Sequence, residues 1–151
     1  MKNVFVKVSG DLFDDPGFIK FLRKLSERNI TICVGGGAQI NQKFHGRKTA
    51  LKRHGPLGRE LNSTKEKQLA KKVLERNKRR LQGILSIERI KAKVIIPVLN
   101  VGQVMCHINS DEMLRVAYLG YDELYAITLK NRVLSKRQQF SNLPKIKIIG
   151  L

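Results

Sequence analysis

A chain of 151 residues, 42% apolar and 28% charged, has the size and balance of a single globular domain with a hydrophobic core. Its formal charge of +18, from 30 Lys and Arg against 12 Asp and Glu, points to anionic partners: nucleotides, small anionic metabolites or nucleic acid. No apolar run approaches the roughly 20 residues that span a bilayer, and the first residues lack the zones of a secretory signal, so a cytoplasmic protein with no membrane partner is expected.

The run VFVKV (4–8) reads as a first strand. Asp15 followed by Pro16 is a helix start, a carboxylate cap and then the residue tolerated in a first turn. Phe18, Ile19, Phe21, Leu22 and Leu25 follow as an apolar stripe at helical spacing. ITICV (30–34) is a second strand, buried on both faces because it lacks polar alternation. After Gly35, Gly36 and Gly37, AQINQKF predicts a short helix. Residues 45–62, with three Gly, one Pro and many bases, predict an exposed, mobile loop. Ser63 and Glu66 have capping-box spacing, and the helix they open runs to about 85, with Leu69, Val73, Leu74, Leu81, Ile84 and Leu85 on one face.

AKVIIPVL (92–99) predicts a strand with Pro97 near its end, and the chain turns at Asn100–Gly102 into a further short strand. SDEMLRVAYLG (110–120) is a helix ended by Gly120. ELYAITL (123–129) and KIKIIGL (145–151) are the last two strands. The order β-α-β-α-loop-α-β-β-α-β-β implies an α/β fold, three layers αβα around a mostly parallel sheet. Cys33 and Cys106 lie in apolar stretches and read as buried free thiols. His45, His54 and His107 are scattered, no CxxC pair exists, and no metal site is expected.

Ligands of parallel α/β sheets sit beyond the carboxyl ends of the strands. Three features fall there: Lys7 to Gly10, Gly35 to Gly37, and Asn109 to Asp111. A glycine turn leading into a helix offers bare backbone N–H groups to an anion; the plainer reading is a tight turn. Lys7 is placed to neutralise a phosphoryl group in transfer, or else to reach solvent from a strand. Asp111 could position lysines or cations and Asn109 a substrate, unless Asn109 or Ser110 simply caps the helix.

The motifs KVSG (7–10), VGGGAQIN (34–41) and INSDEMLRVAYLGYDELYAITLKNRV (108–133) together resemble the amino acid kinase family, the fold of uridylate, acetylglutamate, aspartate and glutamate kinases. That family opens with K-x-G-G or K-x-S-G after its first strand, has a glycine turn after its second, and later an N-x-D followed by a strand ending in T-x-x-D-G-V. The serine in the first motif is most like the uridylate kinase branch. The resemblance implies an amino-acid-kinase-like (carbamate-kinase-like) N-terminal core and ATP-dependent phosphoryl transfer, with Mg2+, to a small carboxylate or phosphate acceptor. In that scheme Lys7 stabilises the transferring phosphoryl, Ser9 and Gly10 give it backbone contacts, and Gly35, Gly36 and Gly37 cradle the acceptor. Asn109 touches substrate and Asp111 orients catalytic lysines. The family pattern continues past its T-x-x-D-G-V strand with most of the nucleotide pocket, and here Asn131 and Arg132 stand in place of its Asp and Gly. A homodimer or a completing partner subunit is the corresponding expectation.

Two other readings stand beside the kinase: a non-catalytic module that binds a nucleotide or phosphometabolite, and a basic nucleic-acid-binding protein. The second draws on residues 43–93, which hold 17 Lys and Arg against four Glu and no Asp. With aromatics at only 6%, base stacking would contribute little.

Overall fold

The computed structural model describes residues 1–45 and 54–151. Five strands form one parallel sheet: β1 (Asn3–Val8), β2 (Asn29–Val34), β3 (Lys93–Ile95), β6 (Glu123–Thr128) and β7 (Ile146–Gly150), in the order β3-β2-β1-β6-β7. A separate antiparallel hairpin joins β4 (Val98–Val101) to β5 (Val104–His107). The helices are α1 (Pro16–Arg23), α2 (Gly37–Lys43), α3 (Thr64–Ile87), α4 (Ser110–Ala117) and α5 (Val133–Gln139), the last preceded by a 3-10 turn over Lys130–Arg132.

The pleat of β1 sorts the core into two faces. Val4, Val6 and Val8 pack with Ile30, Ile32 and Val34 against Phe18 and Leu22 of α1 and Leu81 and Leu85 of α3. Phe5, Cys33, Leu124 and Ala126 face the other way, onto Met113, Leu114 and Ala117 of α4 and Phe140 at the end of α5. Both central strands are buried on both sides after their first residue, as the unbroken apolar runs require. A smaller cluster, Ile40, Phe44, Ala70 and Leu74, fixes α2 to α3.

The helix starts follow their sequence signals. Asp15 accepts a hydrogen bond from the Gly17 N–H at 2.7 Å. Ser63 and Glu66 close a reciprocal capping box at the head of α3.

Four expectations need correction. The 92–99 run is two strands, not one: Pro97 has no N–H to give the ladder, so β3 stops before it and the chain leaves the sheet for the hairpin. The last two strands are not directly joined, because α5 lies between them. Gly120 is not the residue that ends α4, which closes at Ala117 with Tyr118 as its cap. Cys33 is buried, but Cys106 is only partly so. Of the 45–62 loop expected to be exposed and mobile, residues 46–53 lie outside those described. The described part turns back at Gly55–Gly58 and seats on the junction of β5 and α4, with Asn109 N–H donating to the Leu57 carbonyl at 2.8 Å.

Candidate functional site

In the sheet, β2 and β3 lie on one side of β1, and β6 and β7 on the other. The chain therefore reverses its winding between β1 and β6, and the crevice at their carboxyl ends is the usual ligand position of an open parallel sheet. Lys7 points into this region from the α4 face of β1. Its ladder neighbours are Cys33 and Ala126, two small side chains that leave room for the long stem.

Lys7 is 7% exposed, and its Nζ lies 3.3 Å from Asp111 Oδ1. Asp111, in the first turn of α4, also pairs through Oδ2 with Lys136 of α5. Gln139, one turn further along α5, donates to the same oxygen at 3.1 Å and accepts from Lys136 at 3.2 Å. Burial would raise the Asp111 carboxyl, but Lys7 and Lys136 outweigh it and hold the group below its ordinary value. Burial pushes the Lys7 ammonium below its ordinary value; Asp111 opposes this and the neighbouring Lys136 adds to it. Two ammoniums thus share one carboxylate, and this half-buried centre carries a surplus positive charge.

A hollow of about 110 Å³ opens over these groups between β1 and β6. Lys7, Ser9, Thr128, Arg132 and Lys136 line it together with Asp11, so Arg132 brings a third cation and Asp11 a carboxylate that offsets it. A second cavity, of about 300 Å³, is lined by Asp111 itself, which does not line the first. Gly35, Gly36, Gly37, Asn109, Ser110 and Asp111 form its floor, with Arg59, His54 and His107 on the wall facing them. That wall depends on Gly58, where an added Cβ would lie 2.8 Å from both the His107 carbonyl oxygen and Ile108 Cα. His107 Nε2 lies 3.0 Å from the Lys67 carbonyl, which can only accept, so Nε2 carries the proton. Burial in the first place also lowers its pKa, which favours the neutral ring.

The predicted residues are thus brought together around Asp111, but in two compartments. Lys7 and Ser9 open onto the smaller hollow, the three glycines and Asn109 onto the larger. Gly10 lines neither. Its carbonyl accepts from Gln39 Nε2 at 3.0 Å, and an added Cβ would meet the Gly35 carbonyl at 2.9 Å, so it lets the two glycine turns touch. Gly35 spends its N–H on the Val8 carbonyl at 2.9 Å and has none left for a ligand. Gly36 is needed for close approach, since Asn77 Nδ2 and Leu74 Cδ2 would each lie 3.0 Å from a Cβ there. Asn109 occupies the cap position of α4 without a side-chain capping bond, so its amide is not committed to the helix.

The sequence reading missed Lys136, Gln139 and Asn77, and noted Arg132 only as a departure from the family pattern. Asn77, 1% exposed in the middle of α3, donates to the Gly35 carbonyl at 3.0 Å and holds the glycine turn in place. Its signal was a polar residue on the apolar face of an amphipathic helix. No group of three or more metal-ligating side chains is found among the described residues, and no helix among them is long and apolar enough to cross a membrane. No protein-family model matches the chain, nor does any curated protein or solved structure.

Proposed function

We propose that this chain is an amino-acid-kinase-like phosphotransferase domain that moves a phosphoryl group from ATP, with Mg2+, to an oxygen of a small carboxylate or phosphate acceptor. One observation carries the reading: Asp111 lines one hollow, together with glycine backbone and amide groups, while its two lysine partners, Lys7 and Lys136, line a second. In-line transfer needs a donor and an acceptor on opposite sides of a charge-stabilising centre. Lys7 and Lys136 would neutralise the phosphoryl oxygens as the bond to ADP breaks and the bond to the acceptor forms. Asp111 would hold both ammoniums in position, with Gln139 fixing its orientation. Asn109, Ser110 and Gly37 would contact the acceptor, and Arg59 would counter its charge. Such catalysis consists of positioning and electrostatic stabilisation.

The test is isothermal titration with Mg2+–ATP, followed by 31P NMR with a panel of small carboxylates and phosphate monoesters. Binding is expected to weaken at least about tenfold in Lys7→Ala, since one charge-assisted contact of 1.5–3 kcal/mol is lost. Absence of nucleotide binding at millimolar concentration refutes the proposal. A second reading, a nucleotide- or phosphometabolite-binding module without turnover, is favoured by Arg132, which lines the smaller hollow where the family pattern has glycine. Binding with no phosphoryl transfer to any acceptor would select it.

A further inference from the structure

The charge of α3 is not used by either hollow. A groove of about 530 Å³ runs between α2 and α3, and it shares no residue with the two cavities described above. Lys72, Arg76 and Arg79 form one wall and Lys43 stands opposite, over a floor that includes Leu69 and Val73. No acidic and no aromatic side chain lines it among the described residues. None of the four cations has a carboxylate partner among them either. Other exposed bases do: Arg80 pairs with Asp14 at 3.6 Å, and Arg23 pairs with Glu88.

We propose that this groove binds the phosphodiester backbone of a single-stranded nucleic acid without reading its sequence. The spacing supports a chain of phosphates. Residues 72, 76 and 79 are separated by four and three positions, so they form a single stripe about 10 Å long at 1.5 Å per residue. Three charges over that length stand about 5 Å apart along the helix axis, a spacing from which flexible Lys and Arg side chains can reach successive phosphates of one strand. The shape supports one strand: a concave slot between two helices admits a backbone but not a duplex or a planar bilayer. Leu69 and Val73 are only partly exposed and offer little apolar surface to lipid. With no aromatic platform, bases gain no stacking energy, and affinity comes from counterion release.

The test is fluorescence anisotropy with labelled 20-nucleotide oligo-U and oligo-dT between 50 and 400 mM NaCl. Each single-strand phosphate contact contributes about 0.7 to the slope of log K against log salt. Lys72→Gln/Arg76→Gln/Arg79→Gln is expected to flatten the slope by about 2 and to weaken binding at least about tenfold at 100 mM salt. Gln is as good a helix former as the residues replaced, and unchanged circular dichroism verifies the fold. The control, Lys24→Gln/Lys91→Gln/Lys93→Gln, removes the same charge elsewhere and is expected to bind within about twofold of the parent. Lys7→Ala is expected to bind the oligonucleotide as the parent does, whatever its effect on ATP, so this proposal and the phosphotransferase reading fail separately. An equal loss in the control variant, loss in Lys7→Ala, or binding to phosphatidylserine vesicles or poly-glutamate but not to oligonucleotide would each overturn it.

Discussion

Asp111 serves two ammoniums at once, so its own protonation state governs both the stability and the charge of the crevice. Its carboxyl titrates below the ordinary value in the fold. Such a group adds stability that is complete above the unfolded-chain value, about 4, and is lost as pH falls through the lower folded value. Asp111→Asn leaves Lys7 and Lys136 facing each other without a counter-charge, at a cost of roughly 3 kcal/mol near neutral pH. Urea titrations at pH 6 and at steps down to pH 2 check this: the gap between parent and variant is expected to narrow on acidification. A gap independent of pH would show that the pairing does not stabilise the fold. Lys7 and Asp111 could be picked out of the sequence because Lys7 interrupts an apolar strand near its carboxyl end and Asp111 follows a strand beside other polar residues. Lys136 could not, because nothing near it marks a strand end and it reaches the site only through the helix that carries it; Arg132, just past β6, stood out only as a departure from the family pattern.

At the scale of elements, the two glycines that open α2 are predicted to behave in opposite ways. A Cβ built on Gly36 would lie 3.0 Å from Asn77 Nδ2 and from Leu74 Cδ2, whereas nothing lies within 4 Å of one built on Gly37. Gly36→Ala is expected to push α2 from α3 and cost on the order of 1–3 kcal/mol, the range for overpacking. Gly37→Ala, at the first position of the helix, is expected to be neutral or to stabilise by about 0.5 kcal/mol through the unfolded chain. Melting temperatures of the two variants decide it, and equal destabilisation would remove the packing explanation. The capped helices and the apolar strands were legible because their signals are local. Helix α5 was not: VLSKRQQ is short, with no strong apolar stripe and no buried residue. Its existence follows from topology instead, since two neighbouring parallel strands need a crossover, and β6 and β7 are such a pair. Pro97 carried the opposite lesson, because a proline at the end of an apolar run terminates a ladder rather than decorating it.

Across the whole molecule, the first strand in sequence is the middle strand in space. β1 pairs with nearby β2 and also with β6, where Val4 meets Glu123. The crevice exists only after that distant strand has docked, so a region formed by long-range contacts also assembles the proposed chemistry, and folding is expected to be slower than in a helical bundle of equal length. Parallel order could be read from alternating helices and strands, but the reversal between β1 and β6 could not, because periodicity does not say on which side a returning strand lands.

One buried sulfur makes this architecture measurable. Cys33 is fully enclosed beside Lys7, and burial has pushed its thiol up to about 12, against the weaker pull of that lysine. A thiolate-seeking reagent such as Ellman's reagent therefore finds neither access nor the reactive form. In Cys106→Ser, where Cys33 alone remains, colour is expected to develop only as fast as the central strands separate, and at once in denaturant. Adding a ligand that docks at the crevice would slow that clock in proportion to its occupancy, whereas immediate labelling in buffer would mean that the heart of the sheet is already open to solvent.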